Sequence, residues 1–258
     1  MIFAAIKAEE IIDHLHDDND TLKTCSLVCK AWLLPSRYHL FGEFGCPRST
    51  KLDDFLDLLN TGTDNFISPF IRQVRFYNVH SHFSLYPFFP FFDILNNETF
   101  TPAFKSLSLK RYILESDHLD YIPFYRLTYL DITKCTFETF DSLMALLSEL
   151  SCVETLLIDL VNVTSQYLPD RDCEAVLLPK LRNLELYAGM VRSIIPLLAP
   201  PPTLRDLYFC IHDIDEIFIM REFLGDLAPD LNSFSLWYGG FDTNKDIGML
   251  LYEIDRYS

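Results

Sequence analysis

The sequence predicts an α/β fold in which a short helical head precedes a solenoid of about seven strand–helix units. Three observations predict it: an apolar pattern recurs along residues 70–258, helix-period apolar stripes lie between its copies, and the first 45 residues carry a helical pattern alone. Residues 46–69 are then a linker with one amphipathic helix that leads into the repeats. We therefore expect domain boundaries at 45 and 70.

The recurring pattern is a proline followed by apolar residues two, five and seven positions later. Five copies begin at Pro69, Pro102, Pro179, Pro202 and Pro229. Two more copies lack the proline, and the seven central apolar residues are Val74, Leu107, Leu130, Leu156, Leu184, Leu207 and Phe234. The last two apolar residues of each copy stand two apart, so both side chains leave a strand on one face. The proline stops the preceding helix and stays outside the strand ladder.

Between the predicted strands, apolar residues recur at helical spacing. The predicted stripes are Leu143, Leu146, Leu147 and Leu150; Ile194, Ile195, Leu197 and Leu198; and Phe223, Leu224 and Leu227. Phe88, Phe89, Phe91 and Phe92 are assigned to the helix layer of the first unit. One unit cannot bury its own apolar face, so stacked units are expected to share a core, with parallel strands on the concave side.

Over residues 70–258 this pattern resembles the leucine-rich-repeat superfamily in its degenerate form. One copy, Leu127-x-x-Leu130-x-Ile132-x-x-Cys135, also has the Asn/Cys position of that family. The resemblance implies a layered stack of strands and helices that binds a partner on its strand face. An ordinary α/β domain with similar strands is the alternative.

The head is predicted to contain two helices and a short third segment. Ile11, Ile12 and Leu15 share one helical face, and Asp20 or Thr21 is expected to cap the next helix. That helix would carry one stripe and end at Pro35, and a segment over 37–41 follows. The residues of the stripe are Leu22, Cys25, Val28, Cys29 and Trp32.

The head also resembles an F-box. The resemblance lies in Ile11-Ile12-x-x-Leu15, Leu22, Ser26-Leu27-Val28-Cys29-Lys30-x-Trp32, Ser36-Arg37-Tyr38 and Leu40-Phe41. The chain departs from the family at 5–9, where Ala-Ile-Lys-Ala-Glu replaces the usual Leu-Pro before an acidic position. The resemblance implies that the head binds a Skp-type adaptor, and through it a cullin, while the repeats hold a protein substrate. The adaptor-binding residues that it implies are Ile11, Ile12, Leu15, Leu22, Val28 and Trp32.

Residues that alternate with the buried strand positions are predicted to form the substrate-binding face. The candidates are Arg75, Tyr77, Asp131, Asp159, Glu185, Tyr187, Tyr208 and Trp237. Tyrosine and tryptophan supply the rigid aromatic area that is enriched at binding hot spots. The three carboxylates suggest a basic segment on the substrate.

Composition excludes several other classes of function. The formal net charge of −16 disfavours nucleic-acid binding, and no apolar run of about 18 residues predicts a membrane span. Seven dispersed cysteines indicate reduced thiols and a cytoplasmic or nuclear protein. The pairs His14/His16 and His80/His82 lack partner ligands at a metal-site spacing, and Cys25 and Cys29 are expected to be core residues, so no metal or cofactor is expected.

No catalytic motif is present, so the chain is not predicted to be an enzyme. The leading hypothesis is the substrate-recognition subunit of an SCF cullin–RING ubiquitin ligase. The first alternative is a leucine-rich-repeat scaffold outside any ligase, with a truncated, non-functional head. The second is a hydrolase on an unrecognised α/β fold.

Overall fold

The computed structural model describes residues 9–46, 56–57, 67–78, 83–96, 103–164, 175–187, 190–213, 215–225 and 231–238. The strands are β1 (Glu43–Cys46), β2 (Gln73–Tyr77), β3 (Phe83–Ser84), β4 (Ser106–Lys110), β5 (Tyr112–Leu114), β6 (Tyr129–Thr133), β7 (Thr136–Phe137), β8 (Thr155–Asp159), β9 (Asn162–Val163), β10 (Val176–Leu177), β11 (Asn183–Tyr187), β12 (Leu198–Ala199), β13 (Asp206–Ile211) and β14 (Ser233–Tyr238). The helices are α1 (9–13), α2 (Asn19–Cys25), α3 (Lys30–Leu40), α4 (Phe89–Asn96), α5 (Ser116–Leu119), α6 (Phe140–Glu149), α7 (Met190–Ile194) and α8 (Asp215–Gly225).

Eight of these strands form one parallel sheet in the order β1-β2-β4-β6-β8-β11-β13-β14. The order follows the chain, so each strand pairs with the strands before and after it in the series. The register joins Val74 to Leu107, Leu107 to Leu130, and so on through Leu156, Leu184 and Leu207 to Phe234. The predicted α/β class and all seven predicted strands are therefore confirmed.

A repeated turn leads from the large sheet to a short parallel ladder of β3, β5, β7 and β9. Arg111, Lys134 and Leu160 each follow a strand directly and have left-handed backbone angles, with φ of 64°, 55° and 49°. For residues with a Cβ atom this conformation costs about 1 kcal/mol each. Backbone hydrogen bonds offset that cost, since the Arg111 N–H donates to the Thr133 carbonyl at 2.9 Å and the Lys134 N–H to that of Asp159 at 2.7 Å.

The core lies on one side of the sheet, between the strands and the helices. Phe76 of β2 lies at the centre of an aromatic cluster in this core. The centroid of its ring lies 4.4 Å from that of Phe88, 5.7 Å from that of Phe91 and 5.4 Å from that of Phe92. All four side chains are buried. The predicted assignment of this phenylalanine-rich segment to the helix layer is thus confirmed. The stripe of α6, from Leu143 to Leu147, is buried against the same core.

The predicted stripe at 194–198 is buried, but it is not one helix. Helix α7 ends at Ile194, residues Ile195–Leu197 form a 3-10 turn, and Leu198 begins β12. Pro196 explains the change, because it lacks the N–H that an α-helix needs and its ring clashes with the preceding turn. In the third stripe Phe223 is buried and Leu224 packs against the core, while Leu227 lies outside the described residues.

Three features of the head differ from prediction. The cap of α2 is Asp18, whose Oδ1 accepts from the Thr21 N–H at 3.0 Å, and not Asp20 or Thr21. The chain then turns after Cys25 and begins a new helix, so Val28 and Cys29 are exposed and do not share a stripe with Trp32. Pro35 lies inside α3 and does not end it. There it forgoes one helical hydrogen bond, that to the carbonyl of residue 31.

The boundary between head and sheet also differs. Residues 43–46, predicted as the end of the head and the first residue of the linker, form β1 and pair with β2, so the described part of the sheet has eight strands where seven were predicted. Most of the predicted linker helix lies outside the described residues, although Leu56 is buried in the main core. Arg72 fixes the joint: its guanidinium lies 3.8 Å from the ring centroid of Tyr38 and donates to the Tyr38 hydroxyl at 2.7 Å.

His118 in α5 is fully buried and predicts a pH dependence of stability. The Glu115 N–H donates to its Nδ1 at 3.1 Å, so Nε2 carries the proton and faces Ser84 Oγ at 3.2 Å. Burial lowers the pKa of His118, against a smaller opposing effect of Glu115. The unfolded chain therefore binds the extra proton more readily, and the free energy of unfolding falls as the pH drops below about 6.5.

We expect the His118→Gln variant to lose less stability than the wild type between pH 7.5 and pH 5, as measured by urea unfolding at both values. The exposed His212 supplies the matched control, and His212→Gln should retain the wild-type pH dependence. If the free energy of unfolding changed by the same amount between pH 7.5 and pH 5 in all three proteins, the pH dependence could not be assigned to His118.

Candidate protein-binding face

The face of the sheet opposite the core carries all eight predicted substrate-binding residues. One row joins, strand to strand, Arg75, Ser108, Asp131, Leu157, Glu185, Tyr208 and Ser235. A second row joins Tyr77, Lys110, Thr133, Asp159 and Tyr187, and Cys210 pairs with Trp237. These side chains are exposed or half-buried. The structure thus brings the candidates together on one surface, and substrate binding by them stays a prediction.

The same face has a third row that the sequence analysis missed. It consists of Gln73, Ser106, Tyr129, Thr155, Asn183, Asp206 and Ser233. Its side chains bond along the row, since Ser233 Oγ donates to Asp206 Oδ1 at 2.8 Å and an Asn183–Thr155 side-chain pair is 3.1 Å apart. The alternation that located the other rows would have found this one if it had been extended two residues towards the N-terminus.

An open groove of about 710 Å³ lies over β2, β4 and β6. Its lining residues are Gln73, Arg75, Phe76, Tyr77, Asn78, Ser108, Lys110, Arg111, Tyr129 and Asp131. Three of them are cations, in a chain whose net charge is −16. Arg75 Nη1 lies 3.1 Å from Glu43 Oε1, and both side chains are about half exposed, so this ion pair is weak and can exchange partners.

Three carboxylates, Asp131, Asp159 and Glu185, stand on β6, β8 and β11, and the first of them also lines the groove. Among the described residues none of the three has a cationic partner within 4 Å. Hydroxyl groups orient two of them: Thr133 Oγ1 donates to Asp131 Oδ1 at 2.8 Å, and the Tyr187 hydroxyl to Glu185 Oε2 at 2.8 Å. Burial raises the pKa of Asp159, the charges of Lys134 and Lys110 oppose that rise, and the charge of Asp131 adds to it. The acidic stretch is therefore partly desolvated, and its nearby cations, Lys134 and Lys110, form no ion pair with it among the described residues.

Aromatic rings lie beside both charged regions. The centroids of Tyr187 and Tyr208 are 4.8 Å apart, and burial is the first cause of the raised pKa of both hydroxyls. Tyr77 lies close to Gly45 of β1, where an added Cβ would be 3.3 Å from the Tyr77 hydroxyl. Trp237 is 65% exposed on the last strand. These rings offer apolar area for the stems of long side chains.

The head presents a second surface. Ile12, Leu22 and Cys25 form its small core, with Leu15, Trp32 and Leu40 packed against them. Its exposed apolar residues are Ile11 (46%), Leu27 (86%), Val28 (61%) and Leu34 (60%). Of the six predicted adaptor-binding residues, Ile11 and Val28 are therefore on the surface, while Ile12 and Leu22 are in the core. Leu27 and Leu34 are also exposed but were not among the six, and adaptor binding stays a prediction.

The described residues offer little other chemistry. Within the described ranges, no three His, Cys, Asp or Glu side chains are grouped so that they could hold a metal ion. No helix in the described part of the chain is long and apolar enough to cross a membrane. Cys135 is buried, which raises the pKa of its thiol to about 12 and keeps it unreactive. His80 and His82 lie outside the described residues.

Comparisons with known proteins add no identity. No protein-family profile matches the chain, and neither does any curated protein. A crystal structure of a Bacteroides fragilis protein, solved by a structural genomics consortium, is similar to this chain. The match covers 81% of this chain and 54% of that protein, at 13% sequence identity and a TM-score of 0.39. The chain thus spans about half the length of that protein, and a likeness of this degree carries no argument about fold or function.

Proposed function

We propose that this chain is the substrate-recognition subunit of an SCF-type cullin–RING ubiquitin ligase. Its head would bind a Skp-type adaptor, and its exposed sheet face would bind a protein substrate in the cytoplasm or nucleus. One observation carries the proposal: a small helical unit with an exposed apolar surface contacts, through Tyr38 and Arg72, one end of a long, continuous strand face. That arrangement separates two binding surfaces on one chain.

We also propose that the repeated strands and helices form a leucine-rich-repeat-like solenoid. Eight parallel strands that follow the chain in order, with a repeated left-handed turn after three of them, support a leucine-rich-repeat-like solenoid with its strands on the concave face. The head's motif and its three helices support an F-box-like unit. A head followed by such repeats is the arrangement that both resemblances imply.

The proposed role needs no bond-making groups. Binding the substrate on the face and the adaptor on the head would hold substrate lysines close to the ubiquitin-conjugating enzyme and raise their effective concentration. The rival of a binding scaffold outside any ligase shares the face but needs no adaptor. The two therefore differ in whether the head binds.

Adaptor binding by the full chain tests the proposal directly. We expect a purified Skp-type adaptor to co-purify with the wild-type protein. The double variant Val28→Asp/Leu34→Asp should weaken binding about 100-fold or more, since it would bury two carboxylates in an apolar interface. Calorimetric titration measures the change.

Phe218→Asp is the matched control, because Phe218 is also exposed (58%) but lies on α8, away from the head. It should bind the adaptor as the wild type does. A folded wild-type chain that does not bind the adaptor would refute the ligase proposal and favour the scaffold.

A further inference from the structure

We propose that the exposed sheet face binds an extended protein segment of two opposite charges, with a carboxylate in the groove over β2 and β4 and basic residues over β8 and β11. This inference rests on the proposed function in one respect, that the face is the substrate-binding surface. It adds the chemical class of the substrate and the spacing of its charges.

Among the described residues, the groove gathers cations that suit an anionic group. Arg75, Lys110 and Arg111 line it, opposed by Asp131 and by the Glu43 carboxylate beside Arg75, so the charges of these five described side chains sum to +1. A single carboxylate matches that charge, whereas a phosphoryl dianion would meet the repulsion of both neighbouring acids. An incoming carboxylate can take the place of Glu43 on the exposed Arg75 guanidinium, which donates two parallel hydrogen bonds to a carboxylate.

The acidic stretch beside the groove suits the other end of the segment. Asp131, Asp159 and Glu185 stand on consecutive strands of the sheet, half-buried and without an ion pair among the described residues. Their mutual repulsion is relieved when a guanidinium or ammonium group binds between them. Tyr187 and Tyr208 lie next to Glu185 and can pack against the stem or the charged plane of an arginine.

The sheet fixes the distance between the two charges. Three strand-to-strand steps separate the middle of the β2–β4 pair from the middle of the β8–β11 pair. At about 4.8 Å a step the separation is about 14 Å, which an extended chain crossing the strands covers in roughly four residues. A segment of one sign, or one whose opposite charges are adjacent, cannot satisfy both regions at once. The face is therefore selective for charge spacing.

A random twelve-residue peptide library displayed on phage tests this inference on the full-length chain. We expect the wild type to enrich peptides in which an acidic residue stands three to five positions from a basic pair. The Arg75→Glu/Lys110→Glu variant should lose the acidic preference and keep the basic one. The Asp159→Lys/Glu185→Lys variant should lose the basic preference. The matched control is Lys180→Glu/Arg182→Glu, which changes the same charge at exposed positions outside the face and should enrich the wild-type set.

Synthetic peptides from the enriched set sharpen the test by fluorescence anisotropy. Replacing the acidic residue by glutamine should weaken binding to the wild type about tenfold. In Arg75→Glu/Lys110→Glu the same replacement should not weaken binding, because the introduced carboxylates repel the acidic residue. A library without a preferred spacing, or the same enrichment from the wild type and the groove variant, overturns the inference. Phosphoserine that binds more than tenfold tighter than glutamate at the acidic position overturns the carboxylate assignment.

The outcome is separable from that of the proposed function. A chain that selects spaced opposite charges but does not bind the adaptor keeps this inference and loses the ligase. A chain that binds the adaptor through Val28 and Leu34 but shows no spacing preference keeps the ligase and loses this inference.

Discussion

The Phe76→Ala variant is expected to lower the free energy of unfolding by about 3–5 kcal/mol. Phe76 is fully buried where the first units of the sheet meet the helix layer, with three aromatic rings within 6 Å of its centroid. Removing its ring leaves a cavity that three other rigid rings cannot fill without leaving their rotamers. Urea denaturation followed by circular dichroism measures the loss, as a lower midpoint at an unchanged slope.

Phe218→Ala removes the same atoms from a side chain that is 58% exposed on α8. Its cost should stay within about 0.5 kcal/mol, because its partial burial leaves little contact to lose. Equal losses in the two variants would mean that the aromatic cluster does not pack as described.

The Gly42→Ala variant is expected to destabilise the joint between head and sheet by about 1–3 kcal/mol. An added Cβ would lie 2.8 Å from the Tyr38 carbonyl oxygen and collide with the Arg72 guanidinium. The Arg72 side chain can rotate away, but only by leaving the ring of Tyr38, and the carbonyl belongs to the backbone of α3 and cannot move alone. The Gly42 carbonyl also accepts from the Arg72 and Gln73 N–H groups at 2.9 and 3.0 Å, so a backbone shift would strain the start of β2.

Gly225→Ala is the matched control, since an added Cβ there meets nothing within 4 Å. It should be neutral or slightly stabilising, because alanine restricts the unfolded chain more than glycine does. Thermal unfolding of both variants by calorimetry distinguishes them. If Gly42→Ala unfolds at the wild-type temperature, the head is not held by this contact.

The sheet could be predicted because its signal repeats. A strand position such as Leu130 or Leu184 is apolar with an apolar neighbour two residues on, and each copy reinforces the phase of the others. The exposed rows then followed from alternation alone. Strand β1 was missed because Glu43-Phe-Gly-Cys46 offers one large apolar side chain and no proline, and it becomes a strand only through its pairing with β2.

The head was predicted less well, for local reasons. Pro35 was expected to stop a helix because proline removes one helical hydrogen bond. That rule ignores the packing of the rest of the helix. In the structure α3 continues to Leu40, which packs against the small head core. The cap of α2 was predicted at Asp20 and lies at Asp18. Both residues are acidic and only two positions apart, so residue type alone could not decide between them. The groove could not be predicted, because it depends on which charged residues are neighbours on adjacent strands. That requires the strand register, which a single repeat does not reveal.

The strictly sequential pairing of the large sheet has a consequence for how the chain folds and frays. Each strand closes a loop of 23 to 33 residues onto the strand before it, measured between the central residues from Val74 to Phe234. No pairing within the described sheet needs a distant part of the chain. The conformational entropy lost on forming the sheet is therefore divided among loops of similar, short length. Ordering can then begin in the middle and spread both ways. Among the described strands, opening should start at β14, which lies farthest from the head, and β6 and β8 should exchange their amide protons last.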